Sequence, residues 1–393
     1  MSALPAVTSD LYDLEGLLGD DDRLLVKRVR AFMDEQVEPV INDAWTRGRF
    51  PRELIPEMAR LGIAGLPYQG HGCPGRPFLT DGMVAMELSR GDPSVATFMG
   101  VHGGLAMGTV HLCGSAEQKE RWLPAMARME RIGAFALTEP DSGSDVARGL
   151  RTTARRDGGT WVLDGRKKWI GNGSFADLVV VWARDVDTDR VLGFVVETPA
   201  EGFSAVDLED KIALRAVQNA LITLDGVRVP EEDRLQEAGS FRDAADVLRM
   251  TRASVAWSAV GCARGAYEHA LAYAREREQF GRPIAGFQLV QDLLVRMLGN
   301  ITASAAMCTR VSQLQDAGRM TDEQASLAKA FCTVRMRETV GWARELMGGN
   351  GILLENHVGR YVADAEAIYS YEGTREVNTL IVGRAITGTS AIV

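Results

Sequence analysis

The spacing of apolar residues changes twice along this chain, and that change limits what the chain can fold into. Over residues 20–129 the apolar residues recur every three or four positions, as in LLVKRVRAFMDEQVEPVI, which is the period of a helix with one buried face. Over residues 131–230 the period falls to two, in short runs bounded by Asp-Gly, Asn-Gly or Pro: TWVLDGRKKWIG, LVVVWAR, VLGFVVE and ALITLDGVRVP. After Phe241 the helical period returns.

This order predicts an α+β fold that is mostly α, in three domains. We expect an N-terminal all-α domain over residues 1–132, a small β-barrel or β-sandwich domain over 133–238, and a C-terminal four-helix bundle over 239–393. Helical segments at 243–279, 285–317 and 322–346 are long enough to form such a bundle. Because bundles build ligand sites between facing helices, we expect a ligand to bind there.

Composition excludes several classes of protein. The formal charge of −9 disfavours a surface for nucleic acid, which needs clustered basic residues. The five cysteines are scattered and never spaced as CxxC, which argues against a disulfide framework and a metal site. There is no apolar run of about eighteen residues and no basic segment before an apolar one near the N-terminus. We therefore expect a cytoplasmic protein that does not enter a membrane.

Two segments at the edges of the β region carry candidate ligand contacts. FALTEPDSGSDV, residues 135–146, offers backbone N–H groups and hydroxyls to a phosphate or a polar ring edge, although Ser and Gly would equally serve a capped turn. KKWIGNGSFADL, residues 167–178, sets Trp169 beside a Gly-Asn-Gly turn. That indole is either a core residue or one wall of a site for an aromatic cofactor.

Two further segments lie in the second helical region. REREQFGRPIAGFQ, residues 275–288, ends a long helix with arginines, so Arg277 is either a cation on a solvated helix end or a clamp for a pyrophosphate. MGGNG, residues 347–351, holds more glycine than a helix stop needs, which indicates the close approach of another group. It does not match GxGxxG after a strand, so a Rossmann site is not supported.

YEGTRE, residues 371–376, places Glu372 on a turn between two helical stretches. Most glutamates are surface residues, and that reading fits this one too. Alternatively, an apolar pocket that excludes water would raise the pKa of its carboxyl towards neutrality and make it a general base.

Taken together, in this order and spacing, the five segments resemble the acyl-CoA dehydrogenase family over residues 20–388. FALTEPDSGSD, FADLVVVWAR, YEGT and LIVGRAITG are most similar to its glutaryl-CoA dehydrogenase branch. KKWIGNGSFADL and MTRASVAW also resemble the plant short-chain acyl-CoA oxidase of that branch.

The resemblance implies FAD held at a subunit interface of a homotetramer, a dimer of dimers, with acyl-CoA as substrate. Four residues would line the flavin and the thioester entry: Phe135, Leu137, Thr138 and Ser144. Trp169 and Ile170 would lie against the isoalloxazine. Arg277, Phe280 and Gln288 of a neighbouring subunit would hold the pyrophosphate and adenosine. The complete set of implied FAD contacts is Phe135, Leu137, Thr138, Ser144, Trp169, Ile170, Arg277, Phe280, Gln288, Gly348, Gly349 and Thr374. The implied substrate contacts are Ser144, Gly373 and, for the CoA moiety, Arg252.

The implied reaction is α,β-dehydrogenation of a short acyl-CoA to trans-2-enoyl-CoA, with electrons passed to an electron-transfer flavoprotein. Glu372 would remove the α-proton, while its backbone N–H and a ribityl hydroxyl of FAD would stabilise charge on the carbonyl oxygen. Two positions depart from the glutaryl-CoA pattern, and a third departs from the wider family. Ser89 and Ala96 stand where that enzyme has a Glu and an Arg for the distal carboxylate, so we expect a neutral acyl tail and no decarboxylation. Glu345 replaces a common Gln before the Gly-Gly turn.

Several alternatives remain at this stage. A short-chain acyl-CoA oxidase would pass electrons to O₂ instead, and a dicarboxylyl-CoA dehydrogenase similar to the glutaryl-CoA enzyme would accept a distal carboxylate through other residues. A flavin monooxygenase or nitroalkane oxidase shares the fold, but Glu372 favours acyl-CoA chemistry. A flavin-free, inactive homologue would be expected to lose residues such as Thr138, Trp169, Arg277 or Glu372, and none is lost. The acyl chain length is open, with Phe98 and Met99 as candidate pocket residues.

Overall fold

The computed structural model describes residues 9–391. Its first part is helical, and π-helical turns at Met33–Val37 and Gly100–Ala106 each join two helices. Asp92 begins one helix by accepting hydrogen bonds from the Ser94 and Val95 N–H groups, with Pro93 in the first turn. The elements of this part are α1 (Asp20–Phe32), α2 (Glu38–Arg47), α3 (Ile55–Leu61), β1 (Gln69–Gly70), β2 (Cys73–Pro74), α4 (Phe78–Gly91), α5 (Pro93–Met99), α6 (Met107–Cys113) and α7 (Ala116–Ala127).

The middle part is a curled, mixed seven-stranded sheet. Its elements are β3 (Gly133–Ala136), α8 (Val146–Gly149), β4 (Thr153–Asp157), β5 (Thr160–Gly171), β6 (Leu178–Asp185), β7 (Val191–Glu197), β8 (Phe203–Asp207) and β9 (Asn219–Pro230). The strand order is β3-β6-β4-β5-β9-β8, and β7 also pairs with β6. β6 runs parallel to β3 and β4 and antiparallel to β7.

Two Asp-Gly pairs that were expected to bound strands lie inside them instead. Asp164-Gly165 falls within β5 and Asp225-Gly226 within β9, where the pairing register shifts between Leu163 and Gly165. Gly165 has φ +153°, and a Cβ there would lie 2.7 Å from the Thr152 Cα. Glycine is therefore needed at a bulge in a long strand rather than at a turn.

The last part is a helical bundle. Capping boxes begin α9, where Ser240 pairs with Asp243, and α11, where Thr321 pairs with Gln324. The elements are α9 (Phe241–Glu276), β10 (Glu278–Gln279), β11 (Arg282–Pro283), α10 (Gln288–Asp316), α11 (Asp322–Leu346), α12 (Val358–Ser370) and α13 (Arg375–Thr387). The predicted fold class, mostly helical with a β middle domain, is confirmed.

Alternation along β6 joins the sheet to the helices. Leu178, Val180 and Trp182 pack into the large core shared with the helical parts, whereas Val179 and Val181 pack into a second core inside the curled sheet. Within residues 9–391, no helix is long and apolar enough to cross a membrane, and no group of three or more His, Cys, Asp or Glu side chains could hold a metal ion.

α4 and α9 pack against each other at unusually short range. A Cβ on Gly261 would lie 2.1 Å from the Met86 carbonyl oxygen, and a Cβ on Gly82 would lie 2.1 Å from Trp257 Nε1. Since residues 82 and 257 meet, and then residues 86 and 261, the two helices run in the same direction. Their groove lies beside the site described next.

Candidate active site

Glu372 lies on the short connection between α12 and α13, in a backbone conformation that few side chains adopt. Its φ is +54°, and Gly373 follows with φ +84°. The Lys329 Nζ donates to the carbonyl oxygens of Tyr369 at 2.9 Å and Gly373 at 2.8 Å. Asn378 Nδ2 donates to the Gly373 oxygen at 2.8 Å. These bonds hold the turn and so fix where the Glu372 carboxyl points.

The electrostatics of Glu372 favour a carboxyl that titrates near neutrality. Burial raises its pKa from 4.5 to about 7, because the charged form loses hydration. The positive charge of Arg252, a hydrogen bond from the Thr251 hydroxyl and the positive charge of Lys329 oppose that shift without cancelling it. The Thr251 Oγ1 lies 3.2–3.3 Å from both carboxyl oxygens. A base with a pKa near 7 combines an accessible ionised form with appreciable basicity.

A cavity adjoins this carboxyl. Thr251, which holds Glu372, also lines a cavity enclosed by α4, the α5 end, the Gly100–Ala106 turn, α9 and the loop at residues 63–68. Leu88, Ala96 and Met99 are among its walls. Phe98 does not line it and instead stacks on Phe50, with ring centroids 4.3 Å apart. Of the two candidate pocket residues, the structure places Met99 at the cavity.

Ser89 and Ala96, the two departures from the glutaryl-CoA pattern, lie in different surroundings. Ala96 is in the cavity wall. Ser89 is buried between helices, and its hydroxyl donates to the Ser258 carbonyl oxygen at 2.7 Å. Neither residue supplies a cation to the cavity.

The structure brings the two motif segments of the β domain together. The Lys168 N–H donates to the Thr138 carbonyl oxygen at 2.9 Å. Lys167 Nζ, fully buried, donates to the Leu137 oxygen at 3.1 Å and to Glu139 Oε1 at 2.9 Å. Glu139 in turn accepts from the Thr152 N–H at 2.8 Å. The Glu139–Lys167 pair therefore ties the loop at 135–146 to β5.

The side chains exposed at this junction suit an aromatic cofactor with polar edges. Trp169 is 55% exposed, with φ +66°, while Ile170, Phe135 and Leu137 are buried. Ser144 is exposed. The Ser174 hydroxyl, in the same segment as Trp169, is buried and has no hydrogen-bond partner among residues 9–391. An exposed indole and an unsatisfied hydroxyl fit a flavin ring and its hydrogen-bonding edge.

The remaining predicted cofactor residues lie elsewhere on the chain. Arg277, Phe280 and Gln288 surround the β10–β11 hairpin and are all exposed, Phe280 by 93%. Gly348 and Gly349 are exposed in a 3-10 turn at Gly348–Ile352. None of these five lines the cavity beside Glu372. Within one chain they do not join the site, and their cofactor role stays a prediction that needs a second subunit.

Three predicted residues lie on or beside the Glu372 turn. Thr374 begins α13 and accepts a hydrogen bond from the Val377 N–H at 3.2 Å. Gly373 provides the carbonyl that Lys329 and Asn378 bind. Arg252 is buried, its charge lowers the pKa of Glu372, and its Nε has no hydrogen-bond partner among the described residues. Its contact with the CoA moiety stays a prediction.

Sequence reasoning missed Thr251, Lys329 and Asn378. Lys329 carries a visible signal, since it falls on the apolar face of α11 with Ala325, Cys332 and Met336 at helical spacing. A lysine there needs buried acceptors. Thr251 and Asn378 carry no comparable signal, because both residue types are ordinary on helices.

Comparison with known proteins identifies the class that this fold and site define. Family models match the chain as the acyl-CoA dehydrogenase N-terminal domain over residues 19–130, middle domain over 134–227 and C-terminal domain over 241–387. The chain therefore belongs to the acyl-CoA dehydrogenase family, and the resemblance found in the sequence is confirmed.

Individual relatives extend over nearly the whole chain. The short-chain specific acyl-CoA dehydrogenase of Bos taurus mitochondria is 31% identical over 371 residues, which cover 93% of this chain and 90% of that protein. A crystal structure of glutaryl-CoA dehydrogenase from Mycobacterium smegmatis is 40% identical, with a TM-score of 0.93. The match covers 97% of this chain and 98% of that one. A second, in complex with FADH2, is 36% identical, with a TM-score of 0.94 and 98% coverage of both chains. The chain is an FAD-dependent enzyme of acyl-CoA dehydrogenation.

Proposed function

We propose that this enzyme oxidises the Cα–Cβ bond of a short, uncharged acyl-CoA to a trans-2-enoyl-CoA, with Glu372 as the base. The observation that carries the proposal is the Glu372 carboxyl itself. It has a pKa of about 7, lies on a turn fixed by Lys329 and Asn378, and borders a largely apolar cavity through Thr251.

The chemistry follows from what these groups do. Glu372 takes the α-proton of the thioester as the Cα–H bond breaks, and its own N–H donates to the carbonyl oxygen that gains negative charge. Such a preorganised donor contributes about 3–4 kcal/mol to stabilising that charge. Lys329 and Asn378 position the turn, because both bind the carbonyl of the next residue. FAD, when bound, accepts the β-hydrogen as a hydride, which completes a two-electron oxidation.

The cavity walls support an uncharged acyl tail. Among the described residues that line it no Lys, Arg or His occurs, and the single charged one is Asp81. A carboxylate brought into this space would lose hydration without gaining a cation, which costs several kcal/mol. We therefore propose that glutaryl-CoA is a poor substrate and is not decarboxylated.

We further propose that FAD is shared between two chains of a homotetramer. Phe135, Leu137, Thr138, Ser144, Trp169 and Ile170 would supply the flavin side, with Thr374 beside Glu372. Arg277, Phe280, Gln288, Gly348 and Gly349 of a neighbouring chain would supply the rest. In support, the hairpin that carries Phe280 is followed on α10 by Leu289 and Val295, which are 82% and 70% exposed. Electrons would pass to an electron-transfer flavoprotein in the cytoplasm.

The test uses the purified holoenzyme without oxygen. Butyryl-CoA, isobutyryl-CoA, octanoyl-CoA and glutaryl-CoA are added in turn, and loss of the flavin absorbance is followed. Glu372→Gln is the test variant, and Glu376→Gln, four residues further on and exposed, is its matched control. Loss of absorbance with butyryl-CoA that Glu372→Gln abolishes supports the proposal. Efficient turnover of glutaryl-CoA contradicts the uncharged tail, and peroxide formed in air at the rate of turnover contradicts the electron-transfer flavoprotein.

A further inference from the structure

The wall of the cavity beside Glu372 contains one carboxyl group that the proposed reaction does not use. Asp81, in the first turn of α4, lines the cavity together with Thr251 and is only partly buried. Burial and the nearby Asp316 carboxyl raise its pKa to about 7, and no hydrogen bond or cation in residues 9–391 opposes that shift. The Asp81 carboxyl is therefore a polar group in this wall without a hydrogen-bond partner in the described part of the chain.

Among the other polar side chains of the wall, those of Tyr68 and Thr251 are already engaged, and Ser254 offers a single hydroxyl. The Tyr68 hydroxyl donates to the Gly104 carbonyl oxygen at 3.1 Å. Thr251 is bound to Glu372. Asp81 is thus the wall group with the largest unused capacity for a ligand hydrogen bond.

Asp81 lies within reach of a short acyl chain whose α-carbon is at Glu372. Gly82, near the start of α4, contacts Trp257 of α9. The start of α4 therefore lies beside the part of α9 that follows Ser254. Trp257 is six residues beyond Thr251, which is roughly 9 Å at the helical rise of about 1.5 Å per residue. Asp81 precedes Gly82 by one residue and lines the same cavity as Thr251 and Ser254, so it lies about one to two helical turns along the groove from Thr251.

The chemistry of this group selects among possible tails. A hydroxyl on the acyl chain would donate to Asp81 and satisfy it at little cost in desolvation. A hydrocarbon tail would cover the carboxyl and leave it without water or a partner, which costs about 1–3 kcal/mol. A carboxylate tail would meet two acids, Asp81 in the wall and Asp316 nearby.

We propose that Asp81 makes this enzyme selective for acyl-CoA substrates that carry a hydroxyl group near the end of a short chain. This inference rests on the proposed function and narrows its substrate class. Asp81 would act on binding and not on proton removal, because Glu372 and not Asp81 meets the α-carbon.

The test compares matched substrates with the holoenzyme. ω-Hydroxybutyryl-CoA and ω-hydroxyhexanoyl-CoA are compared with pentanoyl-CoA and heptanoyl-CoA, in which a methyl group replaces the hydroxyl. We expect a higher kcat/KM for at least one hydroxylated chain than for its methyl counterpart, by about tenfold or more, mainly through KM. Asp81→Leu should reverse the order, while Asp81→Asn, which keeps an acceptor oxygen, should retain part of the preference.

The control is Asp187→Asn, since Asp187 is exposed in the loop between β6 and β7 and does not line the cavity. It should leave the preference in place. Bound FAD and the melting temperature of each variant show that it is folded. A wild-type enzyme that prefers the methyl chains, or a hydroxyl preference that Asp81→Leu leaves unchanged, overturns the inference.

The two proposals fail in different ways. If no thioester reduces the flavin, the proposed function falls and this inference falls with it. If pentanoyl-CoA reduces the flavin through Glu372 but the hydroxylated chains show no advantage, only the role of Asp81 is wrong.

Discussion

Two glutamates of this protein lie close to arginines inside the structure, yet they carry opposite pKa shifts. Glu87 on α4 is fully buried and contacts Arg30 at 2.7 Å, Arg90 at 2.8 Å and Arg264 at 3.2 Å. These cations lower its pKa to about 2 despite its burial. Among residues 9–391 the Glu372 carboxyl accepts a hydrogen bond only from the Thr251 hydroxyl, and its pKa rises to about 7.

The opposite pKa shifts come from direct contact with arginines and not from burial, because burial favours the protonated form of both carboxyls. Guanidinium groups in direct contact outweigh that effect at Glu87. At Glu372, Arg252 and Lys329 act without an ion pair and reduce the effect only in part. Glu87 therefore serves as a permanent anion that joins α1, α4 and α9, while Glu372 can gain and lose a proton.

The largest expected effect is the loss of flavin reduction when Glu372 is replaced. Glu372→Gln should lower the rate of flavin reduction by butyryl-CoA by about 10²–10⁴, the usual contribution of a general base. Stopped-flow absorbance measures this, and Glu376→Gln should react at the wild-type rate. If Glu372→Gln retains more than a tenth of that rate, another residue is the base.

The same variant should unfold at a higher temperature than the wild type above pH 7. The folded-state pKa of Glu372 lies above its ordinary value of 4.5, so folding favours the protonated form. That contribution to stability is complete below pH 4.5 and is lost as the pH rises through about 7. Gln cannot ionise and avoids the loss. Equal melting temperatures for the two proteins at pH 8 would argue against a raised pKa.

Glu87→Gln should act on stability and leave the chemistry intact. Removing the shared anion takes one carboxylate from each of three arginines, which keep other carboxylate partners, so we expect a loss of about 3 kcal/mol in the free energy of unfolding. Denaturant unfolding of the holoenzyme measures it. Glu130→Gln, which breaks an exposed pair with Arg128, is the control and should leave the free energy of unfolding almost unchanged. The flavin reduction rate of folded Glu87→Gln should stay within a few fold of wild type.

Lys329→Met tests the cation that donates hydrogen bonds to carbonyl oxygens of the Glu372 turn. Its ammonium lowers the pKa of Glu372 and binds two carbonyl oxygens of the turn. Loss of both should reduce kcat about tenfold, by loosening an aligned base, and should move the midpoint of the pH–rate profile upward from about 7. Lys27→Met, at an exposed position on α1, should change neither. A slower variant with an unmoved midpoint would limit Lys329 to holding the turn.

The smallest expected effect is that of Thr251→Val. The hydroxyl bond to Glu372 is worth about 0.5–1.5 kcal/mol, and one pKa unit corresponds to about 1.4 kcal/mol. The midpoint of the pH–rate profile should therefore rise by about one unit or less, with little change in the plateau rate. A shift downward would show that Thr251 does not stabilise the ionised carboxylate. Thr379→Val, exposed on α13, is a suitable control.

Sequence periodicity predicted most of the elements because the local pattern carries the information. TWVLDGRKKWIG and VLGFVVE coincide with β5 and β7, and the segment predicted at 322–346 coincides with α11. The prediction was wrong at the two Asp-Gly pairs, which were expected to bound strands. Asp-Gly suits a hairpin turn and a bulge alike, and only the pairing of β5 with β9 decides for the bulge.

For the candidate site, the sequence alone pointed to Glu372, to the family and to the segments in which flavin contacts are predicted. Motifs are local, and their order along the chain is enough to recognise them. The tertiary structure alone decided that Glu372 titrates near neutrality while Glu87 does not, that Lys329 and Thr251 belong to the site, and that Asp81 faces the cavity. A pKa depends on desolvation and on charges from residues far apart in sequence, such as Glu372 and Thr251 or Glu87 and Arg264, and no local pattern encodes those distances.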